Sequence, residues 1–475
     1  MSILILSNGA PNYYRFFNRL GGRFKKDGHE VIYAVDSSYS KDINKLEKTD
    51  CCIHEFSSYF REHFTDLSIL RRYAEHNLNY ALLSDFERAE AYQVWGGIRP
   101  NEFFDKLKSA LLSFFERILL DHHVSHVYYE NVSNAFSYFA FIVCKQLGRQ
   151  YRGLMVSRLP GRYSVTGDPF FDHLSIKQRC EDIYQGRETL PENVAQWVRS
   201  YIDNLSTSTP DYMKFNKLDD TRVWSKYLRL EKLRKIWDGL RHNGDDHYHS
   251  FQIGNPLRFS FQMFKRAFTR RLRIPKLNKM YGRAADESFY LYPLHFHPES
   301  STSILAGCYL DEYEVVRNLA FNLPEGTKLY VKDHPSAQGY QPLAFYRKLI
   351  GLPNVTLLHP GAPTKQLIKN SIGVITLTST VGYEAILLKK PVYLLGHVFY
   401  KFHPLVRSLE NPAHIFEALS EQKGLPIEDL DFYNVSFVAS YFLNTYPGVL
   451  NYNQEDSALD VLVEAVYVLM REHDF

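Results

Sequence analysis

The chain has 475 residues, enough for two or three domains at roughly 100–200 residues each, and its 45% hydrophobic and 23% charged residues exclude a disordered or fibrous chain. Lys+Arg 56 against Asp+Glu 53 leaves a net charge of +3, which excludes a dedicated nucleic-acid binder. No apolar run approaches the ~20 residues of a membrane span, Ile3–Leu6 is too short for a signal peptide, and Cys51, Cys52, Cys144, Cys180 and Cys308 lack CxxC spacing, which fits free thiols in a reducing cytoplasm.

Ile3–Leu6 reads as a buried strand. The turn Ser7–Pro11 follows, and then Tyr13, Phe16, Phe17 and Leu20 recur at helical spacing. Lys25, Lys26 and Gly28 end that helix, and His29–Val35 is the next strand. Strand, helix, strand is a βαβ unit and predicts a parallel sheet covered by helices. Val124–Tyr129 and Tyr151–Val156 read as further strands around a Phe- and Ala-rich helix. From about 166 to 285 helices dominate, for example Trp224–Arg241, and the run Lys265–Lys279 contains no acidic residue.

Beyond 286 the alternation returns. Strands are expected at Phe289–Leu294, Lys328–Lys332, Val355–Leu358, Gly373–Leu377 and Pro391–Leu395. Helices are expected at Asp311–Asn322, Tyr340–Ile350, Thr364–Asn370 and Val381–Leu388, with a last amphipathic helix at Ser457–Met470. This is a second doubly wound α/β unit, so the cleft between the two, beyond the carboxyl ends of the strands, is where a ligand is expected. The boundaries read as 1–165, a mainly helical 166–285, 286–430 and a helical tail 431–475.

The residues at those strand ends carry the chemistry. In Lys332-Asp333-His334-Pro335, the proline biases His334 to extended backbone and holds its imidazole at the strand exit, where it can donate to a phosphate or carboxylate. A polar loop histidine is the plain alternative. In Thr378-Ser379-Thr380 hydroxyls stand where a strand gives way to a helix, whose free N–H groups suit a phosphate. The alternative there is an ordinary cap, though three hydroxyls exceed what one cap needs. His295, His297 and Glu299 alternate and permit a metal site, but no further ligand has convincing spacing, so no metal is expected and Glu299 reads as an acid/base or orienting carboxylate. Glu130 ends a strand of the first unit and is the candidate base on an acceptor hydroxyl. Arg158 and Arg162, in a Gly/Pro-bearing loop, suit a carboxylate or phosphate as well as they suit a solvated basic loop. The basic run Lys265–Lys279, interleaved with Phe268, Leu272, Ile274 and Leu277, fits either an anionic membrane surface or a solvated helix. Asp429-Leu430-Asp431 has an Asp-x-Asp form but falls at a helix start outside both sheets.

The C-terminal unit resembles the capsule-polysaccharide biosynthesis family of bacterial glycosyltransferases, which includes Kdo transferases. The resemblance rests on Lys332–Pro335, Thr378–Ala385, Lys390-Pro391-Val392, Gly396–Tyr400, and Pro293-Leu294-His295 with Pro298-Glu299-Ser300, about 110 residues together. It implies a GT-B fold of two facing Rossmann-like domains with a helical insertion and a C-terminal helix, and a metal-independent glycosyltransferase without a cofactor. The implied substrates are a nucleotide-sugar donor, CMP-linked Kdo or a related keto-acid sugar, and a glycan or lipid-linked acceptor, with the enzyme cytoplasmic or peripheral at the inner membrane. Similarity to bacterial sialyltransferases implies that His334 and the Ser379/Thr380 pair, with Lys332 in the same motif, bind the donor phosphate, and that Glu384 lies near the ribose or sugar. The family has an acidic residue at the Glu299 position, Glu here where Asp is expected. The readings left beside it are a UDP- or GDP-sugar transferase, a CDP-polyol phosphotransferase, and a non-catalytic glycan-assembly factor.

Overall fold

The computed structural model describes residues 1–92, 101–205, 237, 239–242, 254–297, 300–420 and 428–474. The first sheet contains β1 (Ser2–Ser7), β2 (Glu30–Val35), β3 (Cys52–Glu55), β4 (Val124–Glu130), β5 (Gln150–Val156), β6 (Arg162–Thr166) and, from the far end of the chain, β13 (Tyr446–Pro447). Its order is β13-β6-β5-β4-β1-β2-β3. Strand β1 pairs in parallel with both β2 and β4, and Ile3, Leu4, Ile5 and Leu6 are all buried, as a central strand covered on both faces requires. Chain continuation runs one way from β1 to β2 and the other way to β4, which makes the gap between β1 and β4 a topological switch point.

The second sheet contains β7 (Phe289–Pro293), β8 (Lys328–Lys332), β9 (Val355–Leu358), β10 (Gly373–Thr376), β11 (Val392–Leu394) and β12 (Val406–Ser408), in the order β12-β11-β10-β7-β8-β9. All its pairings are parallel. Counted within the sheet this is the order 3-2-1-4-5-6, the doubly wound dinucleotide-type order, with its switch point between β7 and β10. Two such sheets in one chain make the GT-B architecture.

Helices His173–Tyr184 and Glu192–Asp203 do not stand alone. They pack with Leu430–Leu443, sharing one apolar cluster with Leu291, Val374 and Leu394 of the second sheet. The last helix, Asp456–Asp474, returns to the first unit and lies on helix Tyr13–Lys26. There Val463, Val466 and Tyr467 join the core around β1, and Arg15 and Arg23 reach Asp456 and Glu464, each at 2.9 Å. The first unit is therefore closed by the end of the chain.

Strands β3, β6, β12 and β13 were not expected from the sequence. They are short or lie at sheet edges, and β6 and β13 run antiparallel, outside the βαβ logic. The expected helix Trp224–Arg241 lies largely outside the described residues. Among the described residues no helix is long and apolar enough to cross a membrane.

Candidate active site

The carboxyl ends of β7, β8 and β10 converge at the switch point of the second sheet. His295, two residues past β7, is buried, and its Nε2 accepts from the Thr378 N–H at 3.3 Å and lies 3.3 Å from the Thr376 hydroxyl. With Nε2 accepting, the ring proton is on Nδ1, which donates to Glu312 Oε1 at 2.8 Å. The same oxygen accepts from the His295 backbone N–H at 2.9 Å and from the Tyr292 hydroxyl at 3.2 Å, while His297 Nε2 stands 3.6 Å from Oε2. Burial opposes ionisation of Glu312, but His297 and His295 outweigh it and hold the carboxyl down at about 2. The His-x-His pair thus does share a carboxylate. It is Glu312, the first residue of helix Glu312–Phe321, which in the sequence looks like any acidic residue in a first helical turn.

At the end of β8, alternation sends neighbouring side chains to opposite sides. Lys332 is buried and donates through Nζ to the Pro360 carbonyl at 2.6 Å, and burial lowers its pKa to about 8. Asp333 accepts from the Tyr281 hydroxyl at 2.5 Å and from the His334 N–H at 2.8 Å, and burial raises it to about 6. The His334 ring accepts the Ser336 N–H on Nδ1 at 3.1 Å and lies nearly parallel to Phe296, at 14° with centroids 6.2 Å apart. Burial first, then His295 and Lys332, lowers His334 to about 4. It is a neutral imidazole whose Nδ1 is committed as acceptor, so Nε2 presents an N–H donor at every pH near neutrality.

At the end of β10, Ser379 caps helix Thr380–Leu387, its Oγ accepting the Val381 N–H at 3.1 Å. The capping reading is therefore realised, and the hydroxyl keeps its own proton to donate. Thr378 Oγ1 is buried and has no hydrogen-bond partner among the described residues. Tyr400 donates to the Ser379 carbonyl at 2.7 Å, and a Cβ at Gly382 would meet that phenol oxygen at 2.5 Å, so glycine is needed for this close approach. Glu384, one turn on, is raised by burial and opposed by the charges of Lys365 and Lys332.

Arg158 reaches this corner from the first unit. Its charge acts on the phenols of Tyr400 and Tyr441, and its backbone N–H donates to Tyr441 at 2.9 Å. Arg162 goes elsewhere, which corrects the expectation that it meets a substrate anion. Its Nε donates to Thr445 Oγ1 at 2.7 Å, Nη2 donates to the Phe442 carbonyl at 3.1 Å and to the Thr445 carbonyl, and the guanidinium lies 3.7 Å over the Phe442 ring. It closes the carboxyl end of helix Leu430–Leu443, where orphan carbonyls and the helix dipole attract a cation. Asp429 is the N-cap of that same helix, accepting the Phe432 N–H at 2.9 Å.

A cavity of about 480 Å³ opens beside these strand ends. It is lined by His295, His297, Glu312 and Asp333, by Lys265 and Arg273 of helix Pro256–Leu277, and by Ser84 of helix Leu78–Tyr92 in the first unit. His334, Ser379 and Thr380 lie outside this lining. Part of the basic run is spent on structure: Arg270 donates to the Gln338 carbonyl at 2.7 Å and Arg273 to the Tyr340 carbonyl at 2.8 Å, fixing the loop that follows His334.

Glu130 also lies off the cavity lining. Its carboxylate is buried, accepts from the Ser133 hydroxyl at 3.0 Å and hydrogen-bonds to Tyr13, with Tyr129, Tyr151 and Tyr452 around it. Glu299 lies outside the described residues.

A stretch of 135 residues is 33% identical to Protein FixF of Sinorhizobium fredii, covering 28% of this chain and 31% of that protein's length. The fold resembles, at a TM-score of 0.36 and 11% identity, the beta Kdo 2,7 transferase of Thermosulfurimonas dismutans KpsC, over 80% of this chain and 96% of that one. Its beta Kdo 2,4 transferase gives a TM-score of 0.33 at 14% identity, over 66% and 79%. A UDP-GlcNAc 2-epimerase from Methanocaldococcus jannaschii gives 0.26 at 12% identity, over 93% and 99%. The family model described as Capsule polysaccharide biosynthesis protein matches residues 230–431, a span that holds the His334 loop, the Ser379 cap and the Glu312 cluster, so this part of the chain is similar to that family.

Proposed function

We propose that the chain is a glycosyltransferase of bacterial surface-polysaccharide assembly that takes a keto-acid sugar such as Kdo from a CMP-linked donor. The observation that carries the reading is His334 at the end of β8, which burial lowers to about 4 and whose Nδ1 accepts the Ser336 N–H, leaving Nε2 to donate, on a nucleotide-type sheet whose strand β10 leads into helix Thr380–Leu387. In the transfer the bond from the anomeric carbon to the phosphate oxygen breaks and a bond from that carbon to the acceptor oxygen forms. Charge then gathers on the nucleotide phosphate, where fixed donors stabilise it most. His334, the Ser379 and Thr380 hydroxyls and the helix N-terminus supply that stabilisation, and no metal is required of them.

The acceptor's proton passes to a carboxylate. We assign this to Glu299 rather than Glu130. Glu130 is buried among tyrosines off the cavity, whereas Glu299 follows the cavity residue His297 by two positions and stands where the resemblance implies an acidic residue, Glu here for the expected Asp. The outward face of helix Pro256–Leu277 fits an anionic membrane leaflet, where lipid-linked acceptors reside. Phe261, Phe264, Phe268 and Leu272 form an exposed stripe along it, flanked by exposed Arg258, Lys265, Arg271 and Lys276.

The test is release of CMP from CMP-Kdo in the presence of a glycan acceptor and excess chelator. Acceptor-dependent release supports the proposal. Release from UDP- or GDP-sugars alone moves the donor, transfer of a polyol phosphate from a CDP-polyol moves the reaction class, and no turnover with any donor leaves a binding protein.

A further inference from the structure

A second group of ligating side chains lies on the first sheet, away from the cavity. Cys52 and His54 are two positions apart on the edge strand β3, so strand alternation puts them on one face. His122 comes from the turn between helix Asn101–Asp121 and β4. The Nε2 atoms of His54 and His122 are 2.9 Å apart, and Cys52 Sγ is 3.5 Å from His54 Nε2. All three ligand atoms lie within 4.8 Å of one another.

The second nitrogen of His122 has its own partner. Nδ1 faces Glu30 Oε1 at 3.5 Å, and Glu30 Oε2 accepts from the Ser2 hydroxyl at 2.5 Å. A carboxylate there favours the proton on Nδ1 and leaves the Nε2 lone pair facing His54 Nε2, 2.9 Å away. That is the carboxylate–histidine arrangement that orients a metal ligand. Tetrahedral zinc with N and S bonds of about 2.05 and 2.3 Å has ligand–ligand edges of about 3.4 Å between nitrogens and about 3.6 Å between nitrogen and sulfur. The two separations fall within about half an ångström of those edges. Cys52 is exposed, so the site is open to an entering ion.

We propose that Cys52, His54 and His122 bind a thiophilic divalent cation, Zn²⁺ by donor chemistry, with Glu30 orienting His122. The thiol gives up its proton to solvent as the Zn–S bond forms, and the two imidazoles bind through lone pairs. The bound ion ties the edge strand to the segment entering β4, 68 residues further along the chain, and protects an otherwise unpaired strand edge. None of its ligands touches the cavity, so the site is separate from sugar transfer.

Co²⁺ titrated into the reduced full-length protein is the probe. The expected result is one Co²⁺ per chain, a thiolate-to-cobalt charge-transfer band, and displacement by Zn²⁺. Cys52→Ser removes the band, Cys51→Ser leaves it, His54→Asn and His122→Asn each weaken binding at least ~10-fold, and Glu30→Gln weakens it by ~10-fold. The metal-free melting temperature of each variant confirms that it folds. Absence of the band in the parent protein, or its survival at unchanged affinity in Cys52→Ser and His122→Asn, overturns the proposal.

Discussion

Replacing His334 by asparagine separates its two ring nitrogens. Asn Oδ1 falls where His Nδ1 stands and can accept the Ser336 N–H, now made at 3.1 Å, but nothing replaces the Nε2–H. The structural loss is then the ring's contact with Phe296, about 0.5–1.5 kcal/mol for an aromatic pair. On the proposed function the loss is one donor to developing phosphate charge, about 2.7–4 kcal/mol, or ~100- to 1,000-fold in kcat. Glutamine does the reverse: its amide N–H reaches the Nε2 position and the Ser336 contact is lost, so His334→Gln should retain more activity than His334→Asn while melting lower. The wild-type protein carries a further signature. His334 sits at about 4 against 6.5 in the unfolded chain, so as pH falls from 6.5 to 4 the unfolded chain takes up a proton that the folded one refuses. Stability is lost across that window, by up to about 3 kcal/mol at 1.36 kcal/mol per unit. His334→Asn, which cannot titrate, should lose less stability than the parent between pH 6.5 and 4.5. Steady-state kinetics with denaturant melts at several pH values measure both effects. An Asn variant turning over within threefold of the parent would refute the donor role, and parallel pH–stability curves would refute the buried neutral imidazole.

Glu312→Gln should destabilise by about 2–3 kcal/mol, because the charged acceptor of His295, Tyr292 and a backbone N–H is gone. Glu312 is held at about 2 against 4.5, so its contribution is present above pH 4.5 and fades as pH falls toward 2, and the gap between parent and variant should close over that range. Arg162→Ala should cost about 1.5–3 kcal/mol of stability through the exposed carbonyls of Phe442 and Thr445, with nucleotide affinity unchanged; an affinity loss without a stability loss would return Arg162 to the substrate. Glu299→Gln should abolish turnover while keeping nucleotide binding, and Glu130→Gln should lower the melting temperature with turnover within a few-fold; the opposite pattern puts the base back on Glu130. Phe268→Ser with Leu272→Ser should abolish co-sedimentation with anionic vesicles, and equal pelleting of the parent with neutral and anionic vesicles would end the membrane reading.

The second sheet was legible because its strands are short apolar runs bounded by turn residues and separated by helical periods. β7 to β11 fall within a residue or two of where Phe289, Lys328, Val355, Gly373 and Pro391 place them. Strand β3 was not, because its residues are only half buried and its single neighbour is β2. The strand-end rule put His334 after β8 and Ser379 between β10 and a helix, where they stand, but it could not say what each side chain contacts. Arg162 illustrates this, since the partner that claims it is 280 residues away in sequence. Glu312 was missed for the related reason that a first-turn acid is explained by the helix alone, and its two histidines reach it only once β7 is folded. The cluster of Cys52, His54 and His122 is likewise assembled by topology rather than by spacing.

The central claim is that the ends of β8 and β10 hold a nucleotide phosphate, and a melting-temperature panel with CMP, CDP, UDP and GDP tests it most directly. A ligand that binds only the folded protein stabilises it by about 2.7 kcal/mol at a hundred times its Kd. The account predicts that CMP raises the melting temperature of the parent protein and shifts His334→Asn and the Ser379→Ala, Thr380→Val double variant much less. A panel in which no nucleotide shifts the parent protein, or in which CMP shifts those variants equally, would contradict it.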